Sequence, residues 1–217
     1  MPEHLDIFDA NFRQLGKKSR AQAHFDGDWH QAIHCWVVSR RNNNGALLFS
    51  KRSRKMSNFS GLLDVTCSGH ISAGESVADG IREVREELGI EIDISECKSL
   101  GRRMEACDMS NGDRNREFQS VFFAVRDDAL DCYMPDTNEV EGLFWLNIEE
   151  AISFFAGEAK AIAVDGIEFS PNTNRWNYTE DTITKDHFRK PRTQYFLLVA
   201  IMANRLLRGQ HILTLGH

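Results

Sequence analysis

Three glutamates, Glu83, Glu86 and Glu87, form the densest group of chemistry-capable side chains in this 217-residue chain. They lie in the stretch GHISAGESVADGIREVREELGI, from Gly69 to Ile90. On a helix, spacings of three and four bring such side chains together. Grouped carboxylates repel one another, and a hard divalent cation with oxygen ligands, Mg²⁺ or Mn²⁺, relieves that repulsion. Arg82 stands four residues before Glu86 and is placed to hold it. A glycine-bearing loop, Gly69 to Gly74, delivers backbone groups close to the acidic face, and Glu75 comes just before the helix. EVREE alone would more often be a solvated helix face, so its surroundings decide the reading.

Other candidates flank this stretch. Lys51, Arg52, Arg54 and Lys55 form a basic run after a strand-like ALLFSK. Such runs are commonly just solvated, but this one is placed to clamp substrate phosphates. Glu117, Glu139 and Glu141 are candidates for a further acid, with Glu117 first because it opens an apolar strand. Trp29, Trp36, Phe59 and Trp145 can stack on a base, although aromatics in a sheet are more often core. Cys67 reads as a small strand residue and His34 as buried, without a role.

The elements that must position these residues follow from periodicity. Ala32–Ser39 is rich in β-branched and aromatic residues and predicts a strand. Asn42-Asn43-Asn44-Gly45 predicts a turn, with the return strand at 46–51. Further strands are expected at 62–67, 98–104, 118–125 and 143–146. Val77, Ala78, Ile81, Val84 and Leu88 recur at helical spacing, which predicts a helix over 76–88, closed by Gly89. That helix places Glu83, Glu86 and Glu87 on an arc roughly opposite its apolar stripe. Residues 3–28 read as a hairpin or an arm, 148–155 as a short helix, and 156–189 as polar and irregular. The polar stretch 166–189 could cover the active site and shape specificity. A last helix is expected from about Pro191 to Arg208, packed on the core or on a second copy of the chain. These elements predict an α+β sandwich, divided into an N-terminal arm (1–30), a catalytic domain (31–156) and a C-terminal extension (157–217).

Composition narrows the function classes. The net charge is −6, which argues against binding a nucleic-acid polymer but not against a small anion that a metal ion can neutralise locally. Five cysteines without a CxxC pair predict reduced thiols in a cytoplasmic protein. The N-terminus shows no signal-peptide pattern, and the longest apolar run, Tyr195–Ala203, is too short to cross a bilayer.

The Gly69–Ile90 stretch resembles the Nudix box. In that family the box runs Gly, five residues, Glu, seven residues, then Arg-Glu-apolar-x-Glu-Glu-x-Gly-apolar. This chain has Gly69, five residues, Glu75, six residues, then Arg82-Glu83-Val84-Arg85-Glu86-Glu87-Leu88-Gly89-Ile90. The second half matches at every fixed position, and the gap after Glu75 is one residue short. The resemblance implies a Nudix-type mixed β-sheet sandwich flanked by helices, in α/β/α layers. It implies metal ligation by Glu83 and Glu87, with Glu86 a further ligand or orienting its neighbours, and Glu83 or a glutamate outside the box deprotonating the attacking water. The substrate class it implies is a small-molecule diphosphate, such as a nucleoside diphosphate linked to another moiety, and Lys51, Arg52, Gly69 and His70 are its candidate contacts.

The flanks, from about His24 to Trp145, look like the isopentenyl-diphosphate-isomerase-like branch of the family. Its isomerases hold one metal with three His and two Glu. His24, His30, His70 and Glu117 match that set, and Asn115 stands where the remaining Glu would be. Those isomerases carry a Cys immediately before the Gly-His pair, where this chain has Ser68, with Cys67 one residue earlier. The intact box and Ser68 favour a hydrolase. The alternatives are an isomerase or a catalytically inactive ligand-binding module.

Overall fold

A computed structural model of the chain describes residues 2–41, 44–109 and 111–214. Its elements in chain order are β1 (His4–Phe8), β2 (Gln14–Ser19), α1 (Arg20–Asp26), β3 (Trp29–Ser39), β4 (Ala46–Arg52), β5 (Leu63–Asp64), β6 (Cys67–His70), α2 (Arg82–Leu88), β7 (Lys98–Asp108), β8 (Arg114–Val125), β9 (Val140–Asn147), α3 (Ile148–Ala156), β10 (Ala161–Ser170), β11 (Arg175–Thr184) and α4 (Thr193–Leu207). Among the described residues the strands form one mixed sheet, with a path β11-β10-β9-β4-β3-β1-β2. β3 is its centre. It pairs with β8 in parallel, from His30↔Glu117 to Val38↔Val125, and antiparallel with β6, from Ala32↔His70 to Cys35↔Cys67.

β3 is buried on both faces, which explains its continuous apolar run. Trp36 and Val38 face a core closed by α3 and α4, with Phe49, Phe123, Phe154, Phe188 and Phe196. Cys35 and Val37 face a second core closed by α2, with Leu48, Cys67, Val84, Leu88 and Trp145. The expected α+β architecture in α/β/α layers is therefore observed. α4 packs on this chain's own core through Phe196, Val199, Ala200 and Ala203.

Several expectations are corrected. Residues 161–184, read as irregular, form a ten-rung antiparallel hairpin, Ala161↔Thr184 to Ser170↔Arg175, which extends the sheet beside β9. β10 does alternate, but β11 at the edge buries only Ile183, so it carries no apolar pattern. The single strand expected at 62–67 is two short strands, β5 and β6, separated at Val65–Thr66. They serve different partners, β4 and β3. The N-terminal segment is a hairpin followed by α1, capped by Ser19 and ended by Gly27 in the left-handed region (φ 74°). Asn42 and Asn43 of the expected turn lie outside the described residues; the strands they join pair at Val38↔Leu47 and Ser39↔Ala46.

The carboxylate helix is shorter than expected. α2 begins at Arg82, preceded by a 3-10 turn at Asp79–Ile81. Ser76 and Asp79 bond each other through both backbone and side chain, which holds this segment in a tight turn. Gly80 lies against Ile33 and Ile71, so the turn sits close on the sheet. Gly89 ends α2 in the left-handed region (φ 69°), as expected of a C-cap glycine.

Candidate active site

One cavity of about 520 Å³ gathers most of the candidate residues. Its walls include His24, Arg52, Gly69, His70, Arg82, Glu83, Glu86, Glu87, Glu117 and Glu139. Two clusters stand out within it.

The first is the carboxylate helix facing the β6 loop. Arg82 is its clasp: its guanidinium reaches Glu75 at 3.0 Å, Glu83 at 2.6 Å and Glu86 at 3.1 Å. Glu75 also accepts from the Ser72 amide at 2.9 Å. Glu75 is thus bound to Arg82, and the short segment between them contains the 3-10 turn at Asp79–Ile81. Gly69 has its Cα directly against the Glu83 carboxyl group, where any Cβ would overlap it. That close approach, and not a positive φ, demands glycine at this position.

Glu87, expected on the polar arc, is buried beside Val84 and Leu88 with 7% exposure. The Ser68 amide approaches it at 3.4 Å. Burial, reinforced by Glu139 and Glu83, pushes its proton affinity well above the usual carboxylate range. Burial also raises Glu83, although Arg82 opposes the shift, and it raises Glu139 with help from Asp136. Three carboxylates thus share a buried region with too few donors, which a divalent cation would compensate.

The second cluster is built by α1, β3 and β6. His24, His30 and His70 present nitrogens all within 4.8 Å of one another, with ring centroids 5.0–5.2 Å apart. His30 is oriented by its Nδ1, 2.9 Å from the Asp28 carbonyl. His70 lies between two carboxylates, Glu117 at 3.6 Å from Nε2 and Glu3 at 3.5 Å from Nδ1. Burial depresses His24, and His70 and His30 add to this, to about 4. Burial also lowers His30. His70 is raised, because Glu117 and Glu3 outweigh its burial. Glu117 is held well below the usual range by His70 against the effect of burial. Asn115 is buried in the same wall, and its Oδ1 has no hydrogen-bond partner. Two imidazoles kept neutral, a carboxylate and an orphaned amide oxygen make a donor set that fits a divalent metal ion.

The structure separates other candidates. Lys51 does not line the cavity. β4 alternates its side chains, so Ser50 and Arg52 face inward while Lys51 pairs with Glu141 and Glu168 on the other face. Arg54 and Lys55 are exposed, tied to Glu141 and Asn138. Glu117 belongs to the histidine cluster, and of the three acids considered outside the box it is Glu139 that faces the box glutamates. Glu141 is occupied by Lys51 and the Arg54 amide. Trp36 and Trp145 are core, and Trp29 packs on Phe118. Phe59 does reach the cavity. His34 is buried against the Tyr195 hydroxyl at 2.9 Å. Cys67 is fully buried beneath α2 and does not line the cavity, whereas Ser68 does.

Sequence reasoning missed Glu3, Asp64, Glu105, Arg189 and Arg192. Arg192 bonds Glu105 at 2.7 and 3.0 Å and Asp64 at 2.8 Å, entirely inside the protein. Burial opposes ionisation of Glu105, yet Arg192, Arg189 and Arg103 hold it down to about 2. Gln119 links Glu105 to Glu117. Arg189 and Arg192 lie more than 80 residues from Glu105 in sequence, so no local spacing signals these pairs.

A sheet of this order, carrying an acidic loop-helix-loop beside its central strand, defines the class of the protein. A family model described as the NUDIX domain matches residues 29–165. The chain belongs to the Nudix hydrolase family. It is 32% identical over 197 residues to an uncharacterised Nudix hydrolase of Clostridium acetobutylicum, covering 91% of this chain and 95% of that one. It is 26% identical over 165 residues to an isopentenyl-diphosphate Δ-isomerase of Burkholderia multivorans, covering 76% and 89%. Its fold is shared with a solved structure from Deinococcus radiodurans (TM-score 0.54, 21% identity, 71% of this chain and 89% of that one). It is also shared with a Nudix hydrolase of Alicyclobacillus acidocaldarius (TM-score 0.53, 12% identity, 86% and 97%). Among the described residues no helix is long and apolar enough to cross a membrane.

Proposed function

We propose that this chain is a pyrophosphohydrolase of small molecules, cleaving the diphosphate of a nucleoside diphosphate linked to another moiety. The observation that carries this reading is Glu87, a buried carboxylate among other carboxylates with little to offset its charge. Glu83, Glu86 and Glu87 would hold Mg²⁺ or Mn²⁺, with Glu139 facing them as the acid outside the box. Such an ion neutralises the diphosphate, polarises its P–O bonds and acidifies water. The chain's own residues supply the rest. Arg82 fixes the carboxylates, Gly69 lets Glu83 approach the loop, and a glutamate with raised proton affinity, Glu139 or Glu83, takes a proton from the attacking water. Arg52 and His70 contact the substrate. His24, His30, His70 and Glu117 would hold a second divalent ion.

In this reading residues 31–156 form the catalytic domain. The arm (1–30) contributes Glu3 and His24, and the extension (157–217) contributes Arg189, to one cavity. We place the protein in the cytoplasm on its unpaired thiols. The test is turnover of a panel of nucleoside diphosphate compounds with Mg²⁺ and Mn²⁺; no metal-dependent hydrolysis of any member overturns the reading.

The histidine cluster favours a second reading, isopentenyl-diphosphate isomerisation. Cys67 weighs against it, because its thiol lies in the core and burial pushes its pKa well up. Formation of dimethylallyl diphosphate from isopentenyl diphosphate would establish the second reading.

A further inference from the structure

One wall of the cavity carries guanidinium donors that neither metal cluster uses. Arg52, Arg189 and Arg192 line it, and Arg103, which does not, joins Arg189 and Arg192 on Glu105; among the described residues Asp64 and Glu105 are the carboxylates within 3.5 Å of these four side chains. Arg192 also lies 4.0 Å from Glu117, but that carboxylate is shared with His70 and Gln119. Glu87 and Glu139 also act on Arg52 through space, without a hydrogen bond or ion pair to it among the described residues.

Arg189 is 5% exposed and lines the cavity. Its terminal nitrogens reach Asp64 at 3.5 Å and Glu105 at 3.1 Å, while its Nε has no hydrogen-bond partner. The Phe59 ring covers its guanidinium at 4.0 Å, and Phe59 takes a positive φ of 54°. A side chain larger than glycine seldom adopts that region, so the loop is held in an uncommon conformation with Phe59 against the arginine. Arg52 bonds the Asn58 carbonyl through Nε at 3.2 Å, and its terminal nitrogens have no described side-chain partner. A buried donor without a partner is costly, and an anion supplies the acceptor it lacks. Guanidinium groups suit phosphate and carboxylate because they can bind two oxygens at once. Arg189 and Arg192 lie beyond residue 165, outside the matched family domain, so the C-terminal segment contributes part of this wall.

We propose that Arg52 and Arg189 form an anion subsite that takes a second acidic group of the substrate, a phosphate or a carboxylate, away from the scissile diphosphate. This rests on reading the cavity as a diphosphate-hydrolase site. The substrate is thereby narrowed to compounds that carry an additional terminal acid.

The test is calorimetric titration of the full chain in EDTA with inorganic phosphate and, separately, with succinate, at matched ionic strength. Saturable binding of one of them is expected, the stronger arm naming the acid. Arg189→Gln and Arg52→Gln should each weaken it about tenfold to a hundredfold, the range of a lost charge-assisted bond. Arg189→Gln leaves two buried acids short of a partner; if it fails to fold, Arg52→Gln decides alone. No saturable binding of either anion, or binding unchanged in Arg52→Gln, overturns the proposal. Binding is read without metal, so it stands or falls separately from hydrolysis. Arg52-dependent phosphate binding by a protein inactive on every diphosphate would refute only the hydrolase reading.

Discussion

Replacing Glu87 with Gln should make the metal-free protein more stable and the enzyme nearly inactive. The side chain is 7% exposed and has one described hydrogen bond, a 3.4 Å contact from the Ser68 amide. Glu83 and Glu139 add repulsion. A poorly satisfied buried polar group costs about 1–3 kcal/mol, more when charged. Gln keeps the shape, removes the charge and offers an N–H₂ donor to its acidic neighbours. Metal-free Glu87→Gln should therefore gain about 1–3 kcal/mol, which for a chain of this size is a rise of roughly 2–12 °C in Tm. The pH dependence has a defined sign. Glu87 has a raised folded-state pKa, so its contribution is fully present below the ordinary carboxylate value of 4.5 and is lost as pH rises through the raised value. Wild type in EDTA should lose stability across that window, and Glu87→Gln should lose less. With Mg²⁺ the order reverses, because only wild type gains the stabilisation that metal binding confers. Turnover should fall at least about a hundredfold. Thermal melts in EDTA and in Mg²⁺, from pH 4.5 to 8, check all of this. A variant less stable than wild type in EDTA, or one keeping a tenth of its turnover, refutes the reasoning.

Three further perturbations probe other parts of the site. Gly69→Ala puts a methyl group on the Glu83 carboxyl, which should cost about 1–3 kcal/mol and at least tenfold in kcat; an unchanged kcat would show that Glu83 need not sit there. At the histidine cluster, a metal must displace the proton of His70, whose pKa is raised above 6.5. Co²⁺ binding to Glu87→Gln protein should tighten as pH rises through that value, and His70→Asn should weaken binding and flatten its pH profile in calorimetry. Arg192→Leu removes the shortest ion pairs of Asp64 and Glu105 and leaves them to Arg189 and Arg103; urea denaturation should show a loss of about 3–5 kcal/mol, and a loss below 1 kcal/mol would mean that the buried lattice holds little of the C-terminal segment.

Much of the site was legible because its signals are local. The box glutamates, Arg82 and the closing Gly89 fall within one turn-and-helix segment, where residue spacing translates directly into spatial neighbours. The family resemblance supplied His24, His30, His70 and Glu117, and the pairing of β3 with β6 and β8 brings the latter three together. The misses have physical causes. β11 is the edge strand of the sheet with only Ile183 buried, so no hydrophobic alternation marks it. Lys51 and Arg52 were equivalent as a basic run, and only the pleat of β4 sends one inward and the other out.

The sequence by itself determined the family and the α+β class, because each is written in short-range spacing or in the apolar pattern of single elements. Tertiary structure decided which charges meet. Burial of Glu87, the pairing of Glu3 with His70, and the lattice of Arg189 and Arg192 with Asp64 and Glu105 all depend on strands and helices that are distant in sequence and adjacent in space. Electrostatic energy depends on distance and on the exclusion of water, and neither quantity exists until the chain has folded.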